Sequence, residues 1–345
     1  MRLAVAAELA PAKNFHPFME RYEHEYHCLC HGSGVREVLG GLCSSFHDMG
    51  TGRSRSGRAP EIAYLVARDI VRTWRAMGRI DPDLVLTCGN AGDVRKAISA
   101  SLLRGRGVLH IEQDIYNPIE MIAFADIITA PSGEYRDYLE EEYLLENVEV
   151  IGGYPHALHV RDLGLTHRGG GDFILLVLGG DLKGEDIPGV MGMVGALNRK
   201  VVVVPFRFSS DYVRGLAGSR DVRVLAGFVD LPSLMRDADL MIYGAGMGVT
   251  IEAAVMGVPS IKLRGFHRRH ASVDLAESVG IPVAGADDLP FIVDDLKPPR
   301  SGGLVKKAER AVDNIGRIVE SFDDISGPRG GLGSMRRIWN ARKKF

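Results

Sequence analysis

The stretch that most constrains this chain runs from Asp239 to Pro259, DLMIYGAGMGVTIEAAVMGVP. Leu240 to Tyr243 form a short apolar run of the kind that makes a buried strand. Gly244, Gly246 and Gly248 interrupt it, apolar residues resume at helical spacing from Val249 to Met256, Gly257 stops the helix and Pro259 opens the next strand. A strand passing through glycines into a helix leaves the first-turn N–H groups unpaired at the positive end of the helix dipole, an arrangement suited to a phosphate. The groups so placed are Gly246, Met247, Gly248, Val249 and Thr250. Glu252 follows in the first turns, where its carboxylate can accept from ribose hydroxyls or simply stabilise the helix start.

A buried strand needs a sheet around it, and the chain has the material for two. Its 345 residues predict two domains, and 46% hydrophobic with 25% charged residues is an ordinary globular balance. A net charge of −2 provides no global field for nucleic acid, so no nucleic-acid partner is expected. Four cysteines with no leader read ahead of them predict a reducing, cytoplasmic interior. Apolar runs such as FILLVL and KVVVVPF are far shorter than the ~20 residues that span a bilayer.

Taken in order, MRLAVAAEL reads as a strand leading through a loop to a helix that starts near His16 and Pro17. HCLCH (His27 to His31), with Cys43 and His47 downstream, invites a zinc reading. The expectation is that its C-x-C step divides the thiols between two strand faces, and the usual C-x₂-C spacing is absent, so no metal is predicted. The loop Gly50 to Arg58 is cationic, either solvated or meeting phosphates through Arg53, Arg55 and Arg58. Helical, strand-like and helical segments alternate from Pro60 through VEVIGG, which predicts a doubly wound parallel sheet with right-handed crossovers. CGNAGD (Cys88 to Asp93) falls at a strand's carboxyl end, where open α/β sheets bind ligands, making Asn90 and Asp93 candidates. HIEQD (His110 to Asp114) occupies the same position one strand later. Periodicity lapses between Tyr154 and Asp172, and alternation then restarts. The predicted organisation is a first domain over residues 1–155, a linker over 156–171, a second domain over 172–325 and a basic tail over 326–345.

The pattern GxGxTxExxxxGxPxI from Gly246, preceded by GFVDLPSLMRDADLMIY, resembles the nucleotide-sugar half of GT-B glycosyltransferases, most of all the MurG-type GlcNAc transferases. UDP-GlcNAc 2-epimerases share that half. The resemblance implies two Rossmann-like domains facing a cleft, the second holding the donor and the first the acceptor. His16–Pro17 resembles the His-containing first loop of MurG-type enzymes, although the glycines of that loop are missing, and implies His16 as the acceptor base. HIEQD resembles both the HEQN segment of the transferases and the HVE segment of the epimerases, implying catalytic work for His110 and Glu112. GGDLKGED resembles the GGS loop at the donor diphosphate, implying contacts from Gly179 and Gly180; Asp181 replaces the expected small hydroxyl, and Lys183 is its expected compensation. Phe228 ends the strand that supplies the uracil pocket in related enzymes. Arg264, His267, Arg268, Arg269 and His270 fall where family members contact the donor, with Arg264, Arg268 and Arg269 the main candidates. The last helix, Leu304 to Phe322, is one that packs back across the domains in GT-B proteins.

The implied activity is transfer of a sugar, N-acetylhexosamine being the leading choice, from UDP to a lipid-linked or cell-envelope acceptor, with no cofactor. The alternatives are a UDP-GlcNAc 2-epimerase and a nucleotide-sugar binding protein without catalysis. The epimerase reading lacks the HRREN segment of its second domain, and Asn90 stands where a strand-end Asp is expected. The tail, with Trp339 and Phe345 among basic residues, suggests peripheral contact with the inner face of a membrane.

Overall fold

The computed structural model describes residues 1–32, 34–50, 59–89, 92–218, 221–227, 229–266, 269–301, 303–322 and 330–342. It divides into two compact units: Met1–His159 with the segment from Lys306 onward, and Val160–Val305.

Unit 1 is built on seven strands, β1 (Arg2–Ala7), β2 (Glu25–Cys30), β3 (Ser45–Asp48), β4 (Leu84–Cys88), β5 (Gly107–Ile111), β6 (Ile127–Ala130) and β7 (Val148–Val150). They lie in the order β3-β2-β1-β4-β5-β6-β7 and every pair is parallel. The near-continuous apolar run of β1 follows from this, since a parallel sheet is covered on both faces. Leu3, Val5, Leu29, Leu84 and Leu86 are fully buried, and Val5 aligns with Cys28 on one side and Leu86 on the other. The crossovers are α1 (Leu9–Arg21), α2 (Gly34–Leu39), α3 (Ala59–Ile80), α4 (Gly92–Arg104) and α5 (Gly133–Tyr143), and α6 (His156–Asp162) follows β7.

Unit 2 repeats the plan with β8 (Ile174–Val177), β9 (Val201–Val204), β10 (Val222–Val224), β11 (Leu240–Tyr243), β12 (Ser260–Leu263) and β13 (Val283–Ala284), ordered β10-β9-β8-β11-β12-β13 and again all parallel. Its helices are α7 (Ile187–Gly195), α8 (Ser210–Leu216), α9 (Leu231–Asp237), α10 (Met247–Met256), α11 (Ala271–Ser278) and the short α12 (Leu289–Ile292). Leu176, Leu178, Val203, Ile242 and Ile261 lie at the centre of its core.

Two further helices, α13 (Leu304–Glu320) and α14 (Gly331–Arg342), complete the chain. From Lys306 they group with unit 1, whereas alternation alone predicts a second domain running to residue 325. The reason is a helical stripe: Ala308, Ala311, Val312, Ile315, Gly316 and Val319 are buried along α13. Gly316 leaves room for the Tyr22 ring, which any Cβ would overlap, and Asn314 Nδ2 donates to Ile151 O at 2.9 Å. The boundary between the units, at His159 and Val160, falls within the predicted linker over 156–171, whose start forms α6 with buried residues from His156 to Val160. In the predicted tail, α14 is docked: Ile338 is fully buried, Ser334 Oγ donates to Leu144 O at 2.8 Å and an Arg342 guanidinium N–H to Pro118 O at 2.9 Å. Among the described residues, no helix is long and apolar enough to cross a membrane.

Candidate functional site

In each sheet, strand order reverses beside the first strand, and the crevice there is where open α/β folds bind ligands. In unit 2 the reversal falls between β8 and β11. The turns leaving these strands, Gly179–Gly180 and Gly244–Gly246, pack closely: a Cβ at Gly179 would overlap Ala245 and the Gly244 carbonyl, one at Gly244 would overlap the Leu182 side chain, and Asp181 N donates to Gly244 O at 3.1 Å. The missing Cβ atoms at Gly179 and Gly244 let the two loops close on each other and on Leu182. Gly246 is the N-cap of α10 and makes no side-chain cap, so the Met247, Gly248 and Val249 amides open the helix without intrahelical partners. Gly257 ends α10 with φ 76°, a left-handed residue in the expected place.

Thr250 is fully buried and spent on the turn: its hydroxyl donates to Gly246 O and accepts from Tyr243 Oη, both at 3.2 Å. Burial pushes the Tyr243 phenol up. Glu252 lies in the second turn of α10 and is buried at 3% exposure.

The charge at this crevice differs from the sequence expectation. Asp181 is buried, and its compensating cation is Lys262 of β12, with Nζ at 2.9 Å from Asp181 Oδ2 and donating to Ala245 O at 2.6 Å. Lys183, expected in that role, is half-exposed and faces Glu185 at 3.5 Å. Physically the strand lysine suits the role because the buried carboxylate has to be neutralised where it is desolvated, and β12 carries the ammonium to that depth. His270 caps α11 by accepting the Ser272 amide at Nδ1 (3.1 Å), which leaves the proton on Nε2, 3.7 Å from Asp181 Oδ1. Arg264 and Arg269 are exposed on the segment that follows β12.

In unit 1 the reversal falls between β1 and β4. Glu8 follows β1, His31 follows β2, and Asp93 in the first turn of α4 and Lys96 at the start of its second follow β4. These four meet. His31 Nδ1 is 2.7 Å from Asp93 Oδ2, Lys96 Nζ is 2.6 Å from Asp93 Oδ1 and donates to Gly50 O at 3.2 Å, and His31 Nε2 is 4.0 Å from Glu8 Oε1. The hydrogen bond from His31 to Asp93 is the main cause that raises the His31 pKa above its ordinary value; burial raises that of Glu8, helped by Asp93. Among the described residues, Glu8, His31 and Asp93 are the group whose ligand atoms come within metal-binding reach of one another. Lys96 on one Asp93 oxygen and a hydrogen bond on the other make the set better suited to a proton than to a cation.

The remaining expectations fare unevenly. His110 and Glu112 do come together, with Nε2 to Oε2 at 3.2 Å, but both side chains are closed to solvent. Thr87 Oγ1 engages the other His110 nitrogen at 2.9 Å, and Glu112 Oε1 accepts the Gln113 and Asp114 amides at 2.8 and 2.9 Å. His16 is not at a helix start: α1 begins at Leu9, because Pro11 is tolerated in a first turn, so His16 sits mid-helix with Nδ1 3.3 Å from Glu20 and its ring edge-on to His159. In HCLCH, Cys28 and Cys30 are two apart on β2 and therefore share a face, which corrects the expected split; the hydrogen bond from Cys28 is the main cause lowering the Cys30 pKa. Asn90, Phe228 and Arg268 lie outside the described residues, as do His267, Arg53, Arg55 and Arg58. Sequence reasoning missed Glu8, Lys96 and Lys262, and weighed His31 as a metal ligand alone. A lysine inside the apolar strand SIKL was the one local signal.

No family model matches the chain. The UDP-N-acetylglucosamine--N-acetylmuramyl-(pentapeptide) pyrophosphoryl-undecaprenol N-acetylglucosamine transferase of Salinibacter ruber is 26% identical over 219 residues, 58% of this chain and 56% of the relative. The chain thus spans about half the length of the curated relative it matches. Among solved structures, UDP-N-acetylglucosamine 2-epimerase from Rickettsia bellii aligns with a TM-score of 0.68 at 15% identity, over 93% of this chain and 96% of that one. The chain has the GT-B fold. The Methanocaldococcus jannaschii UDP-GlcNAc 2-epimerase, in complex with UDP-GlcNAc and UDP, aligns with a TM-score of 0.66 at 15% identity over 93% and 99% of the two chains. Arabidopsis thaliana UGT89C1 reaches 0.55 at 10% identity over 98% of each.

Proposed function

We propose that this GT-B chain is a glycosyltransferase that moves a sugar, N-acetylhexosamine being the first choice, from UDP to an acceptor hydroxyl. The observation that carries the reading is the pair of glycine turns closed on each other at the unit 2 crevice, beneath the open amides of α10. Backbone N–H groups at a helix N-terminus offer a diphosphate hydrogen bonds that strengthen as the leaving group gains charge. Glu252 is the ribose ligand on this proposal, with Gly179, Gly180, Gly246 to Thr250, Arg264 and Arg269 around the donor; the contribution of Thr250 comes from its backbone, because its hydroxyl is already used. The partial likeness to a transferase acting on a pyrophosphoryl-undecaprenol acceptor supports a lipid-linked acceptor, met by a peripheral protein at the inner membrane face. Leu332, exposed on α14, is an apolar residue that such a surface would meet.

Calorimetry of UDP binding tests the donor site. Glu252→Ala should weaken binding by ~1 to 3 kcal/mol if the carboxylate holds ribose hydroxyls in a dry pocket. Unchanged affinity would remove Glu252 from the site. Epimerisation is the second reading, and the His110–Glu112 pair in unit 1 is the geometry that would serve it. Its weakness is that both groups are sealed and hydrogen-bonded to their surroundings, whereas proton transfer at a sugar carbon requires contact with it.

A further inference from the structure

We propose that His31, held by Asp93 and faced by Glu8, is the proton acceptor for the acceptor hydroxyl, an inference that rests on the transferase reading above. Asp93 is buried and Lys96, itself 3% exposed, balances its charge through Oδ1, so Oδ2 is left to accept from His31. That hydrogen bond puts the imidazole proton on Nδ1 and turns the Nε2 lone pair outward. His31 keeps 29% of its side chain exposed, enough for a ligand to reach it.

The 4.0 Å between His31 Nε2 and Glu8 Oε1 is too long for a hydrogen bond. It is also the separation that a single hydroxyl oxygen, about 2.8 Å from each atom, would span. Glu8 is available for this: it is the N-cap residue of α1 yet makes no side-chain capping bond. The site therefore offers one acceptor nitrogen and one carboxyl oxygen to a hydroxyl, at the carboxyl ends of β1, β2 and β4. His16 has no comparable arrangement, its Nδ1 being directed along the helix toward Glu20.

In the step, the hydroxyl O–H bond breaks and the proton passes to Nε2. The freed oxygen pair bonds to the anomeric carbon of the sugar, and the bond from that carbon to the diphosphate oxygen breaks with its electron pair leaving on UDP. His31, now an imidazolium braced by Asp93, returns its proton to solvent. Among the described residues, the charged groups acting on His31 besides Asp93 are Glu8, which also favours the cation, and Lys96, which opposes it; Arg36 and Asp48 act on the neighbouring Cys30.

The experiment uses the full chain with UDP-GlcNAc as donor and, as acceptor probes, octyl glycosides and polyprenyl diphosphate sugars, scoring UDP release against pH. The acid limb of the wild-type profile should lie above ~6.5, the ordinary histidine value. Asp93→Asn should move that limb to lower pH. His31→Gln should lower kcat by a factor on the order of 10² to 10⁴ with the donor KM unchanged, and imidazole should restore part of the rate of His31→Ala. Wild-type rate and pH profile in His31→Gln would overturn the proposal while leaving the transferase reading intact. Loss of wild-type activity to a chelator would overturn it in favour of a metal at the same residues, and absence of acceptor-dependent UDP release from the wild type would overturn both readings. If the His31 variants do not fold, the wild-type profile decides alone, a rate independent of pH between about 5 and 8 counting against a histidine base.

Discussion

The two crevices are topological equivalents filled in opposite ways. In unit 2 the ion pair at the crevice is sealed, with Lys262 and Asp181 buried beside close-packed glycine turns, while Arg264 and Arg269 stay exposed. In unit 1, His31 and Glu8 keep part of their surface open and only the supporting Asp93 and Lys96 are buried. A sealed ion pair cannot respond to ligand protons, but it can fix the backbone of an anion cradle. An open imidazole with a buried carboxylate behind it is arranged to exchange a proton. One Rossmann-like plan thus supports backbone recognition in one unit and side-chain acid–base chemistry in the other, depending on where its titratable groups stop being solvated.

The contrast can be broken most severely at Lys262. Lys262→Met removes the buried ammonium that neutralises Asp181 and should cost about 3 to 5 kcal/mol of stability, read from urea unfolding of the full chain. Pairing it with Asp181→Asn should recover much of that loss; a single variant as stable as wild type would show that the pair is not sealed. Next in size, Gly244→Ala drives a methyl group into Leu182 and should cost roughly 1 to 3 kcal/mol, with weaker UDP affinity because the turns separate. A smaller effect is expected in unit 1 and concerns pH. The folded-state pKa of His31 is raised, so its stabilising contribution is complete below its unfolded value and fades as pH rises through the folded one. The stability difference between wild type and His31→Gln should therefore shrink from pH 6 toward pH 8, and a difference that grows would reverse the assigned role of Asp93. Least of all, Lys183→Ala should change stability by less than about 0.5 kcal/mol, since its pairing with Glu185 is exposed.

The fold was legible because parallel sheets advertise themselves: apolar runs such as LAVAA and FILLV, separated by amphipathic helices, admit few other arrangements. The turn from Gly244 and the helix stop at Gly257 were readable for the same local reason. What escaped the sequence was non-local. His31 stood inside HCLCH and drew a metal question, while its partner lies 62 residues away on α4. Lys183 lay next to Asp181 in sequence, yet the cation that reaches the carboxylate comes from 81 residues further on. His16 illustrates the converse: a motif resemblance put it in a loop, but local helix propensity and a tolerated first-turn proline extend α1 back to Leu9. Docking of α14 was hidden because Ser334 and Ile338 find their partners on unit 1 elements remote in the chain.

Sugar transfer itself is tested most directly by incubating the wild-type chain with UDP-GlcNAc in heavy water, with and without a polyprenyl diphosphate sugar. The proposed chemistry predicts UDP release only when the acceptor is present and no deuterium in the recovered donor, because no carbon–hydrogen bond of the sugar is broken. Deuterium at the second carbon of the sugar in the absence of acceptor would contradict it and return the His110–Glu112 pair to the centre of the reaction.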